Sequence, residues 1–309
     1  MGKTQKIIVV GGGVAGLSAA IWLRDLGLEC IVVERASETG GQLHRIYNDI
    51  TNYPGIKGIS GAEFAKILHE QASSFGVSFE KDEVRSISIE RSQVDLRSGN
   101  VVEYDALVIA TGVRRRKLGV EGEIEFEGKG ILESGAKDPA AVVGKTVVIV
   151  GGGDAAVENA AILAGFAQKV VIIHRGSELR ARSPIIKTAL NCENVEVRIN
   201  TTVTRFVGDE SLRGVLIRDV EDGSEALIGA QNALIRIGVA PNTEPFSEFV
   251  KLDMDGYVEV DRECKTSTEG IYAVGDVAFK VSPTIATAVG TGSTAAKSIH
   301  AWIQSKKSL

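Results

Sequence analysis

Residues 6 to 35 read "KIIVVGGGVAGLSAAIWLRDLGLECIVVER", and residues 145 to 175 read "KTVVIVGGGDAAVENAAILAGFAQKVVIIHR". Both segments present a β-branched apolar run, a triple-glycine loop, an alanine-rich helical stretch and a second β-branched run, in that order. Apolar strands without polar alternation are typical of parallel sheets that are covered on both faces. The repeat therefore predicts an α/β protein with two doubly wound, Rossmann-like dinucleotide-binding domains.

Three more apolar strands that end in glycine turns indicate how the domains are connected. They are "YDALVIATGV" (104–113), "QNALIRIGVAP" (231–241) and "GIYAVGDVA" (270–278). The third strand comes after the second unit has ended, so it is best placed in the first domain. We predict a first domain of residues 1–112 and 243–309, with a second domain of residues 113–242 inserted into it.

Composition excludes several classes of protein. The chain has 309 residues, 44% apolar content and a net charge of −5, which gives no general attraction to nucleic acid or to anionic membranes. Its N-terminus imitates a signal peptide, but Arg24 and Asp25 end the apolar run too early for a membrane span. The three cysteines lie far apart in sequence and have no metal-ligand spacing, so we expect a cytoplasmic protein without a metal site.

The first glycine loop has the spacing of a dinucleotide fingerprint, Gly11-x-Gly13-x-x-Gly16. The first glycine permits the tight turn, the second allows backbone to approach a pyrophosphate, and the third allows the helix to pack on the strand. Glu34 ends the next strand, where an acid can accept hydrogen bonds from ribose hydroxyls. This combination predicts a bound dinucleotide.

The second loop, Gly151-x-Gly153-x-x-Ala156, keeps the fingerprint, since alanine is accepted at its last position. The strand after it ends in "HRGSELRAR", which has no acid at the ribose position. Arg175 and Arg180 can instead bind a ribose 2′-phosphate, which favours NADP(H) over NAD(H). The alternative is a solvated basic turn.

Together with the two domains, four short motifs resemble the low-molecular-weight thioredoxin reductase family: "GGQL" (40–43), "NYPG" (52–55), "ATG" (110–112) and "GD" (275–276). The resemblance implies an oxidoreductase with FAD in the first domain and NADPH in the second, and typically a homodimer. It implies FAD contacts from the first glycine loop, Glu34 and Gly41, Gln42, Leu43, Asn52, Val84, Thr111, Gly112, Gly275, Asp276, Ile285 and Ala286. For NADPH it implies Gly153, Ala155, Ala156, Arg175 and Arg180.

The chain departs from the family at two motifs. The family pattern H-R-R-x-x-x-R has Gly176 in place of its second arginine, which weakens the expected preference for NADP(H) without removing it. Thioredoxin reductases also carry a redox C-x-x-C before the second glycine loop, whereas this chain has Ser134 to Lys137 there, followed by Asp138. A serine and a lysine cannot form the disulfides that thiol exchange requires.

Three functions fit this departure. The first is an NAD(P)H oxidoreductase whose flavin passes electrons directly to ferredoxin, flavodoxin, free flavin, a quinone or oxygen. It resembles the ferredoxin-NADP reductases of thioredoxin reductase type, in which a tyrosine matching Tyr47 stacks on the flavin. The second is a disulfide reductase that uses Cys192 or Cys264, and the third is a non-catalytic flavin-binding redox sensor or assembly partner.

Two charged segments have competing interpretations. Lys137 and Asp138 are candidate catalytic residues, because a cation favours anionic reduced flavin and an acid can deliver a proton, but they also suit a solvated turn. The run "RRRK" (114–117) can dock an acidic carrier protein, face a cofactor phosphate or face solvent.

Overall fold

A computed structural model describes residues 5–46, 49–135, 137 and 139–307. The chain divides into two compact units, one of Met1–Arg114 with Ala240–Leu309 and the other of Arg115–Val239. In the described ranges the helices are α1 Val14–Asp25, α2 Gly61–Ser74, α3 Asp154–Ala164, α4 Ser183–Leu190 and α5 Ile285–Lys307. The strands are β1 Lys6–Val10, β2 Glu29–Glu34, β3 Ser78–Lys81, β4 Val84–Ser88, β5 Gln93–Leu96, β6 Val101–Glu103, β7 Ala106–Ile109, β8 Val113–Arg115, β9 Ile131–Leu132, β10 Thr146–Val150, β11 Lys169–Ile173, β12 Val195–Arg198, β13 Thr201–Gly208, β14 Leu212–Asp219, β15 Glu225–Gly229, β16 Asn232–Ile235, β17 Val239–Pro241 and β18 Ile271–Ala273.

The first unit is built on a parallel sheet of five strands in the order β18-β7-β1-β2-β3. In the centre, Val9 of β1 lies opposite Val32 of β2 and Val108 of β7. Side chains alternate across a strand, so Ile7 and Val9 enter the core with α1, α2 and α5. The other face enters a second core beneath the antiparallel sheet β4-β5-β6. Both faces are therefore covered, as the apolar strands predict.

The second unit repeats this plan with the strand order β12-β11-β10-β16-β9. Ile149 of β10 lies opposite Ile172 of β11 and Leu234 of β16. One face of the sheet packs on α3, and the other packs on the antiparallel sheet β13-β14-β15. The fold class predicted from the internal repeat is confirmed.

Close packing of α5 on α1 shapes the carboxyl edge of the first sheet. A Cβ on Gly292 would lie 2.5 Å from the carbonyl oxygen of Ala15, and the Ser18 hydroxyl donates to the carbonyl of Val289 at 2.8 Å. A Cβ on Gly275 would lie only 2.7 Å from the Cβ atom of Ala15. Glycine at these positions lets α5 and the turn after β18 pack closely on the first turn of α1, at the edge where the parallel strands end. This is the usual ligand edge of such sheets.

Two kinds of feature are absent from the described part of the chain. None of its helices combines the length and apolarity needed to span a bilayer. No group of three or more His, Cys, Asp or Glu side chains within it is arranged to hold a metal ion.

Candidate functional site

The glycines of the first loop have different structural roles. Gly11 has a φ of +105°, and a Cβ on it would lie 2.4 Å from the carbonyl oxygen of Ala110. A Cβ on Gly16 would lie 1.9 Å from the carbonyl oxygen of Gly11, so both positions are closed to side chains by the protein itself. A Cβ on Gly13, at the N-terminal cap of α1, would meet no atom within 4 Å. The loop therefore leaves open space only where a phosphate would approach the helix N-terminus.

A cavity of about 370 Å³ opens at this carboxyl edge. It is lined by residues from separate segments that sequence motifs had singled out: Gly11, Gly13, Glu34, Gly41, Gln42, Leu43, Thr111, Gly112, Asp276 and Ile285. Burial raises the pKa of the Asp276 carboxyl. The topology thus brings together motifs that lie as far apart in the chain as Gly11 and Ile285, since each of them follows a strand or begins a helix at one edge.

A second cavity of about 280 Å³ adjoins the first one. Both cavities are lined by Gly11, Glu34, Arg35, Thr111, Arg114 and Asn242. Val84, at the start of β4, lies on the wall of the second cavity only. Because they share these wall residues, the two cavities form one continuous groove.

Glu34 lies where the two cavities meet. Its Oε2 accepts a hydrogen bond from the Gly12 amide at 2.7 Å, and its Oε1 accepts one from the Ala36 amide at 2.8 Å. A carboxylate oxygen has more than one lone pair, so both oxygens keep the capacity to accept from ribose hydroxyls. The backbone contacts fix the orientation of the carboxylate before any ligand binds.

Some of the predicted residues do not line the groove. Asn52 is exposed and is not on the wall of either cavity. Gly275 and Ala286 also stay off the walls, although the Gly275 amide donates to the Thr291 hydroxyl at 3.0 Å and so orders the turn that carries Asp276. Tyr47 lies outside the described residues.

Two groove residues lie outside the predicted set of cofactor contacts: Asn242 was not predicted to bind a ligand, and Arg114 was considered only in one interpretation of the basic run. The Asn242 side chain donates to the Thr111 carbonyl at 2.8 Å, and the Thr111 hydroxyl donates to the Asn242 carbonyl at 2.6 Å. Arg114 donates to Oδ1 of Asn242 at 2.8 Å and pairs with Glu244. For Asn242 the sequence shows only the turn "APNTEP" (240–245), which spans the predicted domain boundary between residues 242 and 243.

The second unit repeats the glycine-loop geometry. Gly151 has a φ of +139°, and a Cβ on it would lie 2.1 Å from the carbonyl oxygen of Arg236. Gly153 caps α3 and, like Gly13, has no atom within 4 Å of a Cβ position. Ala156 is fully buried behind the loop, whereas Ala155 is exposed at the start of the helix. An open phosphate position at a helix N-terminus is therefore present in both units.

Arg175 and Arg180 are exposed residues that follow β11. The Arg180 amide donates to the carbonyl of Gly152 at 2.7 Å, which ties this segment to the glycine loop. His174 is buried, and its ring would lie 2.5 Å from a Cβ on Gly152. Burial, followed by the charges of Arg180 and Arg175, lowers the pKa of the His174 imidazole.

Each member of the basic run 114–117 has an intramolecular partner. Arg114 pairs with Glu244, and Lys117 pairs with Glu127 at 3.3 Å. Arg116 donates to the carbonyl of Val239 at 2.8 Å, and Arg115 donates to the carbonyl of Glu133. Of the interpretations left open for this run, the position of Arg114 on both cavity walls favours a cofactor phosphate for that residue.

Of the two candidate catalytic residues, Lys137 and Asp138, only Lys137 lies within the described residues. Lys137 belongs to the second unit and forms an ion pair with Glu133 at 3.2 Å. Asp138 lies outside the described residues. The side chains of this ion pair are about half exposed, so Lys137 fits a solvated turn as well as it fits a catalytic role.

Comparison with known proteins agrees with this geometry. Residues 5–292 match the family model described as pyridine nucleotide-disulphide oxidoreductase. A thioredoxin reductase of Bacillus subtilis is 34% identical over 305 residues, which is 98% of this chain and 96% of that protein. A "34.2 kDa protein in rubredoxin operon" of Clostridium pasteurianum is 30% identical and covers 98% of this chain and 99% of its own length.

The solved structures agree as well. A Lactococcus lactis thioredoxin reductase in its FR conformation superposes with a TM-score of 0.85 at 29% identity, covering 97% of this chain and 99% of that one. The chain therefore belongs to the pyridine nucleotide-disulphide oxidoreductase family, in which it is a thioredoxin reductase-like flavoprotein oxidoreductase.

Proposed function

We propose that the protein is an FAD-dependent NAD(P)H oxidoreductase that transfers electrons from its flavin directly to an external acceptor. The observation that carries this proposal is the turn where thioredoxin reductases are expected to hold their redox dithiol. In this chain the turn contains no sulfur. Electrons must then leave by another route, because disulfide exchange needs a thiolate and a partner sulfur.

The turn is also packed in a way that suits its own residues. Ser134 is 9% exposed, and the Gly135 amide donates to Oδ1 of Asn159 on α3 at 3.2 Å. A Cβ on Gly135 would lie 2.7 Å from that oxygen, so glycine is needed for this contact. These contacts support a structural role for the segment.

The three cysteines support direct transfer over the alternative of a disulfide reductase. All three lie within the described residues and are free. Burial raises the pKa of both the Cys30 and the Cys264 thiols to about 12, so neither forms much thiolate at neutral pH. Cys192 is partly buried just after the end of α4, and its thiol donates to the carbonyl of Thr188, within α4, at 3.6 Å. None of them is a cavity-wall residue of the groove in the first unit.

We assign FAD to the domain of residues 1–112 and 243–309, and NAD(P)H to residues 113–242. Gly13 would let the FAD pyrophosphate approach α1, Glu34 would hold the adenosine ribose, and Val84 would contact the adenine. Bound FAD supplies the two-electron redox chemistry. The remaining wall residues orient it and exclude water from the groove.

We expect NADP(H) to be preferred over NAD(H), with Arg175 and Arg180 at the 2′-phosphate. Stopped-flow reduction of the flavin should be faster with NADPH than with NADH, and equal or inverted rates would contradict this. Gly176→Arg should raise the preference by about tenfold, because it adds one charged hydrogen-bond donor. A Cβ at residue 176 would lie 2.9 Å from Nε2 of His174, so the ring must shift to accommodate the arginine.

The decisive experiment measures which acceptor reoxidises the flavin. The protein is reduced anaerobically with NADPH and mixed with thioredoxin, ferredoxin, flavodoxin, free flavin, a quinone or oxygen. We expect fast reoxidation by at least one acceptor other than thioredoxin, and the same rate after all three cysteines are changed to serine. The relative from a rubredoxin operon favours a small protein carrier among these acceptors.

Two outcomes would overturn the proposal. Reoxidation by thioredoxin alone, lost in the variant without cysteines, would indicate a disulfide reductase. Flavin that stays oxidised under NADPH would indicate a non-catalytic flavin-binding protein. We also expect a cytoplasmic homodimer, for which light scattering of the purified protein should give twice the chain mass.

A further inference from the structure

Three cationic side chains of the second unit gather at one residue, Glu133. Arg236 donates from Nη2 to the Glu133 carbonyl at 2.8 Å, and Arg115 donates from Nη1 to the same oxygen. Lys137 pairs with the Glu133 carboxylate at 3.2 Å. We call these four residues the Glu133 cluster. They come from three separate segments, namely the end of β8, the turn after β9 and the residue after β16.

The cluster lies at the same sheet edge as the second glycine loop. Glu133 directly follows β9, Arg236 directly follows β16, and Gly151 directly follows β10. These three strands are parallel neighbours, so their carboxyl ends share one edge. The Arg236 amide donates to the Val150 carbonyl at 2.7 Å, and a Cβ on Gly151 would touch the Arg236 carbonyl. Arg236 is therefore a direct neighbour of the loop.

The strand order divides this edge into two sides. β10 has β11 on one side and β16 on the other, so the order reverses at β10. Dinucleotides bind across the crevice at such a point, with the adenosine ribose read by residues that follow the second strand of the motif. Here that strand is β11, which Arg175 and Arg180 follow. The other half of the nucleotide must then extend over β16 and β9, where the Glu133 cluster lies.

We propose that the Glu133 cluster binds the nicotinamide mononucleotide half of NADP(H), with the Arg236 guanidinium on its phosphate. This inference rests on the proposed binding of NAD(P)H by the second unit. A guanidinium offers planar paired donors that match phosphate oxygens. Two Arg236 donors are held by the carbonyls of Ile235, at 2.9 Å, and Glu133, so the orientation of the guanidinium is set by the protein. Arg115 and Lys137 bring two further positive charges to Glu133, whose carboxylate pairs with Lys137.

The inference has a consequence for coenzyme choice. At the 2′-phosphate end of the site, Gly176 stands where the family pattern has an arginine. Only NADP(H) carries the 2′-phosphate that this arginine would contact. The nicotinamide mononucleotide half is identical in NADH and NADPH, so the Glu133 cluster strengthens the binding of both equally. A larger share of the coenzyme contacts is therefore made to the half that NADH and NADPH have in common, and a smaller share to the 2′-phosphate that distinguishes them.

Calorimetric titration of the oxidised holoprotein with NADP⁺ and with 2′,5′-ADP separates the two halves of the site. Arg236→Ala should weaken NADP⁺ binding by about tenfold and leave 2′,5′-ADP binding unchanged, because the latter lacks the nicotinamide half. Arg175→Ala should weaken both ligands. Arg213→Ala, a matched surface change in β14 that removes an ion pair with Asp209 at 2.9 Å, should affect neither ligand.

Several outcomes would overturn the inference. The first is an NADP⁺ affinity of Arg236→Ala equal to that of Arg213→Ala. The second is an equal loss of affinity for NADP⁺ and for 2′,5′-ADP in Arg236→Ala. Unchanged NADP⁺ binding with slower, salt-sensitive reoxidation by ferredoxin would make the cluster a carrier-docking surface instead. Arg236→Lys is the control that separates a binding defect from a folding defect. It keeps the positive charge, so it should bind NADP⁺ more tightly than Arg236→Ala does, and its melting temperature should equal that of the wild type. If wild-type protein binds neither ligand, the proposed function itself fails.

Discussion

Glu34 illustrates how a single residue can combine structural and binding roles. It ends β2, and its two oxygens accept amide hydrogen bonds from Gly12 and Ala36. The carboxylate is therefore oriented by backbone on both sides, at the point where two cavities share a wall. A rigid acceptor in this position loses little conformational freedom when a ligand binds.

Glu34→Gln should weaken FAD binding by about tenfold, because an amide nitrogen replaces one acceptor oxygen and the charge is lost. The measurement is the dissociation constant of FAD from fluorescence titration of the apoprotein. Glu38→Gln, at an exposed residue in the loop after β2 and off both cavity walls, is the control. Equal affinities for the two variants would refute a ribose-binding role for Glu34.

His174 is a buried base whose Nε2 has no hydrogen-bond partner in the described part of the chain. Burial and the nearby arginines lower its pKa in the folded state. The unfolded chain therefore takes up a proton at a higher pH than the folded chain does. As the pH falls below about 6.5, the free energy of unfolding decreases until the folded-state pKa is reached.

His174→Asn should remove this contribution to acid sensitivity. Below about pH 6.5, the slope of unfolding free energy against pH should drop by up to about 1.4 kcal/mol per pH unit relative to wild type. Urea unfolding followed between pH 7.5 and 5.0 gives the slope. His300→Asn on α5 is the comparison, and identical slopes for the two variants would show that His174 does not titrate as inferred.

At the scale of secondary-structure elements, the strand-loop-helix unit assigns different tasks to glycines that look equivalent in sequence. Gly16 is needed because the protein's own backbone occupies the space beside it, whereas Gly13 faces open space. Gly13 also has a φ of −73°, which any residue can adopt. Stability and ligand binding should therefore separate cleanly between these two positions.

Gly16→Ala should lower the melting temperature of the apoprotein by about 5 °C or more, since overpacking of this kind costs about 1–3 kcal/mol. Gly13→Ala should shift it by less than about 2 °C, yet weaken FAD binding by at least about tenfold, because the methyl group occupies the phosphate position. Calorimetry and FAD titration measure both effects. A folded Gly13→Ala protein with normal FAD affinity would contradict this role of the loop.

At the scale of the whole molecule, the decisive feature is a second dinucleotide unit that retains its glycine loop without a dithiol beside it. Ser134 is nearly buried, and Lys137 is half exposed, at the positions where the family resemblance expects sulfur. Apart from the exchangeable coenzyme NAD(P)H, flavin is then the only redox group that the sequence motifs imply. The number of electrons that the protein takes up tests this directly.

Wild-type holoprotein should accept about two electrons per flavin in an anaerobic dithionite titration. Ser134→Cys/Lys137→Cys should accept about four once its new cysteines have been oxidised, since a disulfide adds two. Lys137→Cys alone is the control and should remain at about two. A wild-type value near four would reveal a redox-active disulfide and contradict direct transfer from flavin.

Local patterns predicted much of the fold and part of the candidate site. The repeat led to both parallel sheets, because strand burial and glycine spacing are properties of short segments. Asn52 was expected at the flavin but is absent from the groove walls, since a short motif does not specify where its loop will lie. Asn242 was overlooked, because its contact with Thr111 joins residues that are 131 positions apart.

By itself the sequence determined that the chain contains two dinucleotide-type units and lacks a dithiol, because both features depend on which residues occupy fixed spacings. Only the tertiary structure decided that Arg114 and Asn242 complete the groove and that Arg236 reaches Glu133 across 103 positions. The physical reason is that parallel strands become neighbours in an order set by packing. Residues distant in the chain therefore meet at one sheet edge, and their contacts have no local signature.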